Sequence, residues 1–99
     1  MKEFKQKLNT AIRTGKLVFG SKNVIKLLLN GTSKLIVLSN NCPDDVTEKI
    51  NYYCRLAEVP CYTSKMDGIE LGAASGKPFT VSALAVIKEG DSTIMDVAS

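Results

Sequence analysis

Two stretches of this chain are apolar without alternation: "LIVL" at 35–38 and "TVSALAVI" at 80–87. A strand of that kind has no face suited to water, so it belongs in a sheet covered on both sides. The longer run is therefore expected at the centre of that sheet. Around these runs, strand-length apolar segments alternate with amphipathic helical patterns, which argues for one sheet between two helical layers, an α/β fold.

The helical patterns are clear. From Lys2 to Thr14, the residues Phe4, Leu8, Ala11 and Ile12 share one stripe, and Gly15 ends it. Lys16–Phe19 reads as a short strand. Ser21, after Gly20, is expected to cap a second helix running to Asn30, with Val24, Ile25, Leu27, Leu28 and Leu29 turned inward and Gly31 as the stop. The turn residues Ser39, Asn40 and Asn41 follow the first apolar run. Pro43, Asp44 and Asp45 then begin a third helix, because proline suits the first turn and acids suit the positive end of the dipole.

On that helix Val46, Ile50, Tyr53, Cys54 and Ala57 share a face through to Val59, and Pro60 prevents continuation. Cys61–Thr63 reads as a brief strand, Asp67–Ser75 as a short helix closed by Gly76, and Thr80–Ile87 as the last strand before a short segment after Gly90. The expected order is α-β-α-β-α-β-α-β.

Ninety-nine residues suit one domain, 1–99, which buries roughly 60 to 70% of its unfolded surface. No apolar run approaches the roughly 18 residues of a membrane span, so a soluble chain is expected. Met1 to Lys7 is mostly charged and holds no secretory signal, which leaves the Asn30-Gly31-Thr32 glycosylation pattern without consequence. The three cysteines, Cys42, Cys54 and Cys61, fit neither a disulfide framework nor paired metal spacing, and the chain has no histidine. Reduced thiols in the cytosol and no metal site are expected.

The charge is sorted. Residues 1–34 hold eight Lys or Arg against the single acid Glu3, for +7, whereas residues 35–99 hold five bases against nine acids, for −4. A local basic face favours a polyanion through phosphate attraction and counterion release, although lysines also simply solubilise helices.

Catalytic motifs are weak by comparison. Gly15 and Gly20 have the spacing of a phosphate loop, but Ser21-Lys22 reverses the required order and the residues between read as strand. Cys42 precedes a helix start, which can activate a thiol, yet Asp44 and Asp45 oppose a thiolate there. Those two acids are better explained by the helix dipole than as an acid and base pair.

In "LVFGSKNVIKLLLNG", Lys22 and Lys26 lie one turn apart with Asn23 as their neighbour. Free amides after Gly20 can bind phosphate, the lysines add charge, and Asn23 offers the donor and acceptor that reading a base edge requires. Glycine at position 20 would allow an RNA backbone or base to approach closely. A helix tip can also enter widened, non-Watson-Crick RNA grooves. A second cluster, "GIELGAASGKPF", is broken by Gly72, Gly76 and Pro78 around Lys77 and leads to Phe79. A cation beside an aromatic suits an unstacked base, while a core role for Phe79 is equally consistent with the residues alone. An RNA binder and a small α/β thiol enzyme or nucleotide-binding domain remain the competing classes.

The segments "TGKLVFGSKNVIK", "KLIVLSNNCP", "INYYCRLAEVPCY", "IELGAASGKPFTVSALAVI" and "EGDSTI" occur in order along the chain. Together they resemble the archaeal and eukaryotic large-ribosomal-subunit protein family L-thirty-e, within the superfamily that binds kink-turn RNA. The resemblance implies a three-layer α/β/α sandwich with a mixed four-stranded sheet, and binding without catalysis or cofactor. It implies that Gly20, Ser21, Lys22, Asn23 and Lys26 meet the sheared G·A pairs and adjoining backbone of the kink. Asn41 would lie near the same RNA surface, and Gly76, Lys77 and Phe79 in the loop over an extruded nucleotide. Ser75 stands where many relatives carry cysteine. The implied partners are ribosomal RNA and other ribosomal proteins, with no membrane, for a cytoplasmic protein that is a monomer outside the particle. A sister role in guide-RNA modification particles is the near alternative.

Overall fold

The unalternating runs become the two inner strands of the sheet. In the computed structural model, which describes residues 2–88, Gly90 and Ile94, with side chains from Lys5 onward, the strands are β1 (Lys16–Phe19), β2 (Leu35–Leu38), β3 (Cys61–Thr63) and β4 (Ala83–Lys88). Their order across the sheet is β1-β4-β2-β3, so β4 and β2 are internal. β4 is antiparallel to both neighbours, and β2 is parallel to β3. The sheet is therefore mixed.

Helices α1 (Lys2–Thr14), α2 (Ser21–Asn30), α3 (Asp44–Ala57) and α4 (Gly68–Ala74) cover both faces. Successive side chains of the inner strands point opposite ways. Leu35 and Val37 of β2 and Leu84 and Val86 of β4 join Leu8 and Ala11 of α1 and Leu71 and Ala74 of α4 in one core. Ile36 and Leu38 of β2 and Ala83 and Ala85 of β4 meet Val24 and Leu28 of α2 and Ile50 and Cys54 of α3 in the other. The result is a three-layer α/β/α sandwich. Ile94 is also buried in the first core, while the segment expected after Gly90 otherwise lies outside the described residues, as does the side chain of Phe4.

Several boundaries differ from expectation for local reasons. Gly20, not Ser21, caps α2: it adopts φ 100° and ψ 137°, a conformation closed to residues with a Cβ, and Ser21 becomes the first helical residue without a side-chain cap. Leu29 is 65% exposed instead of inward. It follows Lys22 and Lys26 at i+7 and i+3, and so falls on their solvent stripe. α3 ends at Ala57 because Glu58 turns left-handed at φ 57°, its N–H bonding back to the last turn, and because Pro60 disfavours helical backbone at Val59.

The last strand starts at Ala83, three residues later than expected. The chain before it is held against α4, with the Val81 N–H donating to the Gly68 carbonyl at 3.0 Å. Gly72 is not a chain breaker but a buried position inside α4. A Cβ there would collide with the Phe79 carbonyl, so a glycine is what lets the connecting loop lie on the helix.

No helix of the described residues is long and apolar enough to cross a membrane.

Candidate nucleic-acid interface

Register brings four separate segments to one end of the sheet. Phe19 pairs with Leu84, and the Gly20 N–H donates to the Ala83 carbonyl at 3.0 Å, which seats the start of α2 beside the start of β4. On the other side of β4, the Ser39 N–H donates to the Ser82 carbonyl at 2.9 Å. The Ser64 N–H donates to the Leu38 carbonyl at 2.8 Å, so the β3–α4 turn arrives at the same end.

The tip of α2 is pre-arranged. The N–H groups of its first three residues, Ser21, Lys22 and Asn23, have no intrahelical acceptor by helix geometry. Asn23 donates from Nδ2 to the Phe19 carbonyl at 3.1 Å, which fixes its side chain and leaves Oδ1 as an acceptor. Lys22, Asn23 and Lys26 are exposed, whereas Gly20 and Ser21 are half-buried.

The α4–β4 loop closes over the end of β1. Asp67 begins α4 with a reciprocal capping box, accepting from the Glu70 N–H at 2.8 Å while Glu70 accepts from the Asp67 N–H at 3.3 Å. Both acids are thus engaged in starting the helix. After Gly76, which turns at φ 72°, Lys77 places its Nζ 4.9 Å from the centroid of the Phe19 ring. Phe79 is 54% exposed and lies outside β4, so it is a loop aromatic and not a core residue.

Asn41 ties the β2–α3 turn to the start of α4. Its Oδ1 accepts from the Gly68 N–H at 2.9 Å, and a Cβ on Gly68 would come within 2.5 Å of the Thr80 methyl. Next to it, Asn40 donates from Nδ2 to the Lys65 carbonyl at 2.9 Å. Gly20, Ser21, Lys22 and Asn23 therefore stand at one end of the sheet with Asn41 in the β2–α3 turn, and Lys77 reaches that end through the Phe19 ring, with Lys26 one turn along α2. The Phe79 backbone lies against Gly72 of α4, and Gly76 lines a cavity with Asn9, Ile12 and Arg13 of α1.

Phe19 is the residue that sequence reasoning missed. Its carbonyl holds Asn23 and its ring carries Lys77, so it joins the two clusters read separately in the sequence. The available signal was an aromatic closing a strand directly before a helix-starting glycine.

Cys42 lies elsewhere in role. It is 9% exposed and packs in the α2/α3 core, with Pro43 between it and α3. Among the described residues, no group of three or more His, Cys, Asp or Glu could hold a metal ion.

Comparison with known proteins agrees with this architecture. A solved structure described as a protein with unknown function from Bacillus halodurans superposes with a TM-score of 0.80 at 24% identity, over 88% of this chain and 86% of that one. That likeness concerns the fold. The large ribosomal subunit protein eL30 of Methanocaldococcus jannaschii is 47% identical over 90 residues, covering 91% of this chain and 82% of that protein. Its counterpart from Methanothermobacter thermautotrophicus is 44% identical, covering 91% and 92%, and that from Methanothrix thermoacetophila 49% identical, covering 89% and 82%. The model of the ribosomal protein L7Ae/L30e/S12e/Gadd45 family matches residues 2–96. With that span and these identities, the chain belongs to the ribosomal protein L7Ae/L30e/S12e/Gadd45 family, on its L30e branch.

Proposed function

We propose that this chain is a structural RNA-binding protein of the large ribosomal subunit that recognises and stabilises kink-turn RNA. It acts as a single domain, a monomer outside the particle, in the cytoplasm, with ribosomal RNA and other ribosomal proteins as partners. The ribosomal assignment is supported by relatives named large ribosomal subunit protein eL30, matched over about nine-tenths of the chain. They are ribosomal proteins, a non-enzymatic class, and the function is not enzymatic. The guide-RNA-particle reading is not adopted, because those relatives carry the ribosomal name.

The kink-turn reading is carried by one observation: Phe19 links the α2 tip to the α4–β4 loop, through its carbonyl to Asn23 and its ring to Lys77. Sharply bent RNA brings phosphates together and exposes one base. The free amides of Ser21 and Lys22, with the Lys22 and Lys26 ammonium groups, hold the crowded backbone. Asn23 Oδ1 accepts from a guanine edge in a non-Watson-Crick pair. Phe79, held out from the sheet with Gly76 and Lys77 before it, stacks on the extruded base. Asn41, whose Oδ1 holds the β2–α3 turn to the start of α4, contributes to the same RNA surface in this reading.

The test is a gel shift with a kink-turn RNA and a straight duplex of the same composition, for the wild type, Asn23→Ala and Lys26→Ala. The wild type is expected to prefer the kinked RNA, and both variants to bind it more weakly. Equal binding of the two RNAs by the wild type would end this reading.

A further inference from the structure

The α3–β3 connection places two thiols in one cavity, away from the lysine-bearing helix tip. After Ala57 the chain reverses at Glu58, and the Val59 N–H donates to the Cys54 carbonyl at 2.9 Å. The Pro60 carbonyl then accepts from the Ile36 N–H at 3.0 Å, which sets Cys61 opposite Ile36 at the start of the edge strand β3. Cys54, from the last turn of α3, and Cys61 both line a cavity of about 510 Å³, together with Asn51, Arg55, Glu58 and Pro60.

The two cysteines are not equivalent. Cys54 is 3% exposed, whereas Cys61 is half-buried on the cavity wall. Both side chains sit on the same cavity wall, close enough for each thiol to perturb the other. The neighbouring Cys54 holds the Cys61 thiol below its ordinary range against the opposing effect of burial, while the neighbouring Cys61 raises Cys54, which burial raises further.

We propose that Cys54 and Cys61 form a thiol–disulfide exchange site for small, peptide-like disulfides, with Cys61 as the attacking thiol and Cys54 as the resolving one. The accessible Cys61 thiolate attacks one sulfur of the small disulfide, whose S–S bond breaks and releases one thiolate. A mixed disulfide on Cys61 results. Cys54, giving its proton to that leaving thiolate, then attacks the Cys61 sulfur and expels the second small thiolate, which takes a proton from water. Two protein thiols are oxidised, and one small disulfide is reduced to two thiols. Arg55 and Glu58 supply a cation and a carboxylate in the same cavity, suited to a ligand that bears both charges. Cys42 packs in the same core but does not line the cavity.

This inference is independent of RNA binding. The native protein is incubated with oxidised glutathione at neutral pH, quenched in acid and weighed intact, and its tryptic peptides are then mapped without reduction. Trypsin cuts after Lys49, Arg55 and Lys65, so a Cys54–Cys61 bond appears as peptides 50–55 and 56–65 joined together. The wild type is expected to lose two hydrogens and yield that joined pair. Cys54→Ala is expected to accumulate one glutathionyl adduct on Cys61, and Cys61→Ala to react no faster than Cys42 does in the wild type. A wild type that keeps all its thiols, forms its bond through Cys42, or reacts as fast without Cys61 would overturn the proposal.

Discussion

The ammonium of Lys77 rests 4.9 Å above the centre of the Phe19 ring. This contact joins the loop after α4 to the last residue of β1, one position before the glycine that starts α2. It positions the loop and keeps a cation at the helix tip.

Replacing Phe19 by leucine keeps apolar bulk and removes the ring face. A cation–π contact at an exposed site contributes about 0.5–1 kcal/mol, so affinity for kink-turn RNA is expected to fall about two- to fivefold. Filter binding at fixed salt measures it, with Leu29→Gln at the far end of α2 as a control expected to be unchanged. Undiminished affinity in Phe19→Leu would remove the ring from the recognition scheme.

Salt separates the charged contacts from the reading ones. Lys22→Met and Lys26→Met should each reduce the slope of log affinity against log salt by about 0.7 to 0.9, one phosphate contact apiece. Asn23→Ala should leave the slope intact and reduce the preference for kinked over straight RNA. Identical slopes for all three variants would contradict the division of roles.

Two glycines are required for different reasons, and their alanine variants should differ in consequence. At Gly20 a Cβ would find only ordinary contact, 3.8 Å from Asn23 Nδ2, so the cost is backbone strain at φ 100°, roughly 1–3 kcal/mol. At Gly72 a Cβ meets the Phe79 carbonyl itself, and relief requires moving the loop. Gly72→Ala is expected to cost about 1–3 kcal/mol in urea unfolding and also to weaken RNA binding measured where the protein remains folded. Full RNA affinity in that variant would show that the Phe79 segment does not contribute.

Leu84 is fully buried in the α1/α4 core and pairs with both Phe19 and Val37 across the sheet. Leu84→Ala should therefore lower stability by about 2–5 kcal/mol, as a lower urea midpoint with an unchanged slope. A loss under 1 kcal/mol, read in the same titration, would mean that this layer repacks freely.

How much was legible follows the range of the interactions involved. Capping residues and apolar spacing located α1, α3 and α4 closely, because both act within one helical turn. The start of β4 was misplaced by three residues, since Thr80, Val81 and Ser82 are apolar enough for a strand but are held by Gly68 and by the turn after β2. Ser21 looked like the cap of α2 from composition, whereas the cap position needed a backbone angle that only Gly20 can supply. Leu29 looked buried because it is leucine, though its position on the helix sets it with the lysines.

By itself the sequence determined the alternation of elements, the burial of β2 and β4 on both faces, and a cationic, glycine-led helix tip, all of which depend on neighbours a few residues away. Only the tertiary structure decided that Lys77 would lie on Phe19 and that Cys54 and Cys61 would line one cavity. Those pairings depend on the strand order β1-β4-β2-β3 and on where each connection crosses the sheet. That order is set by how whole helices and strands fill two cores at once, a long-range packing condition that no local spacing encodes.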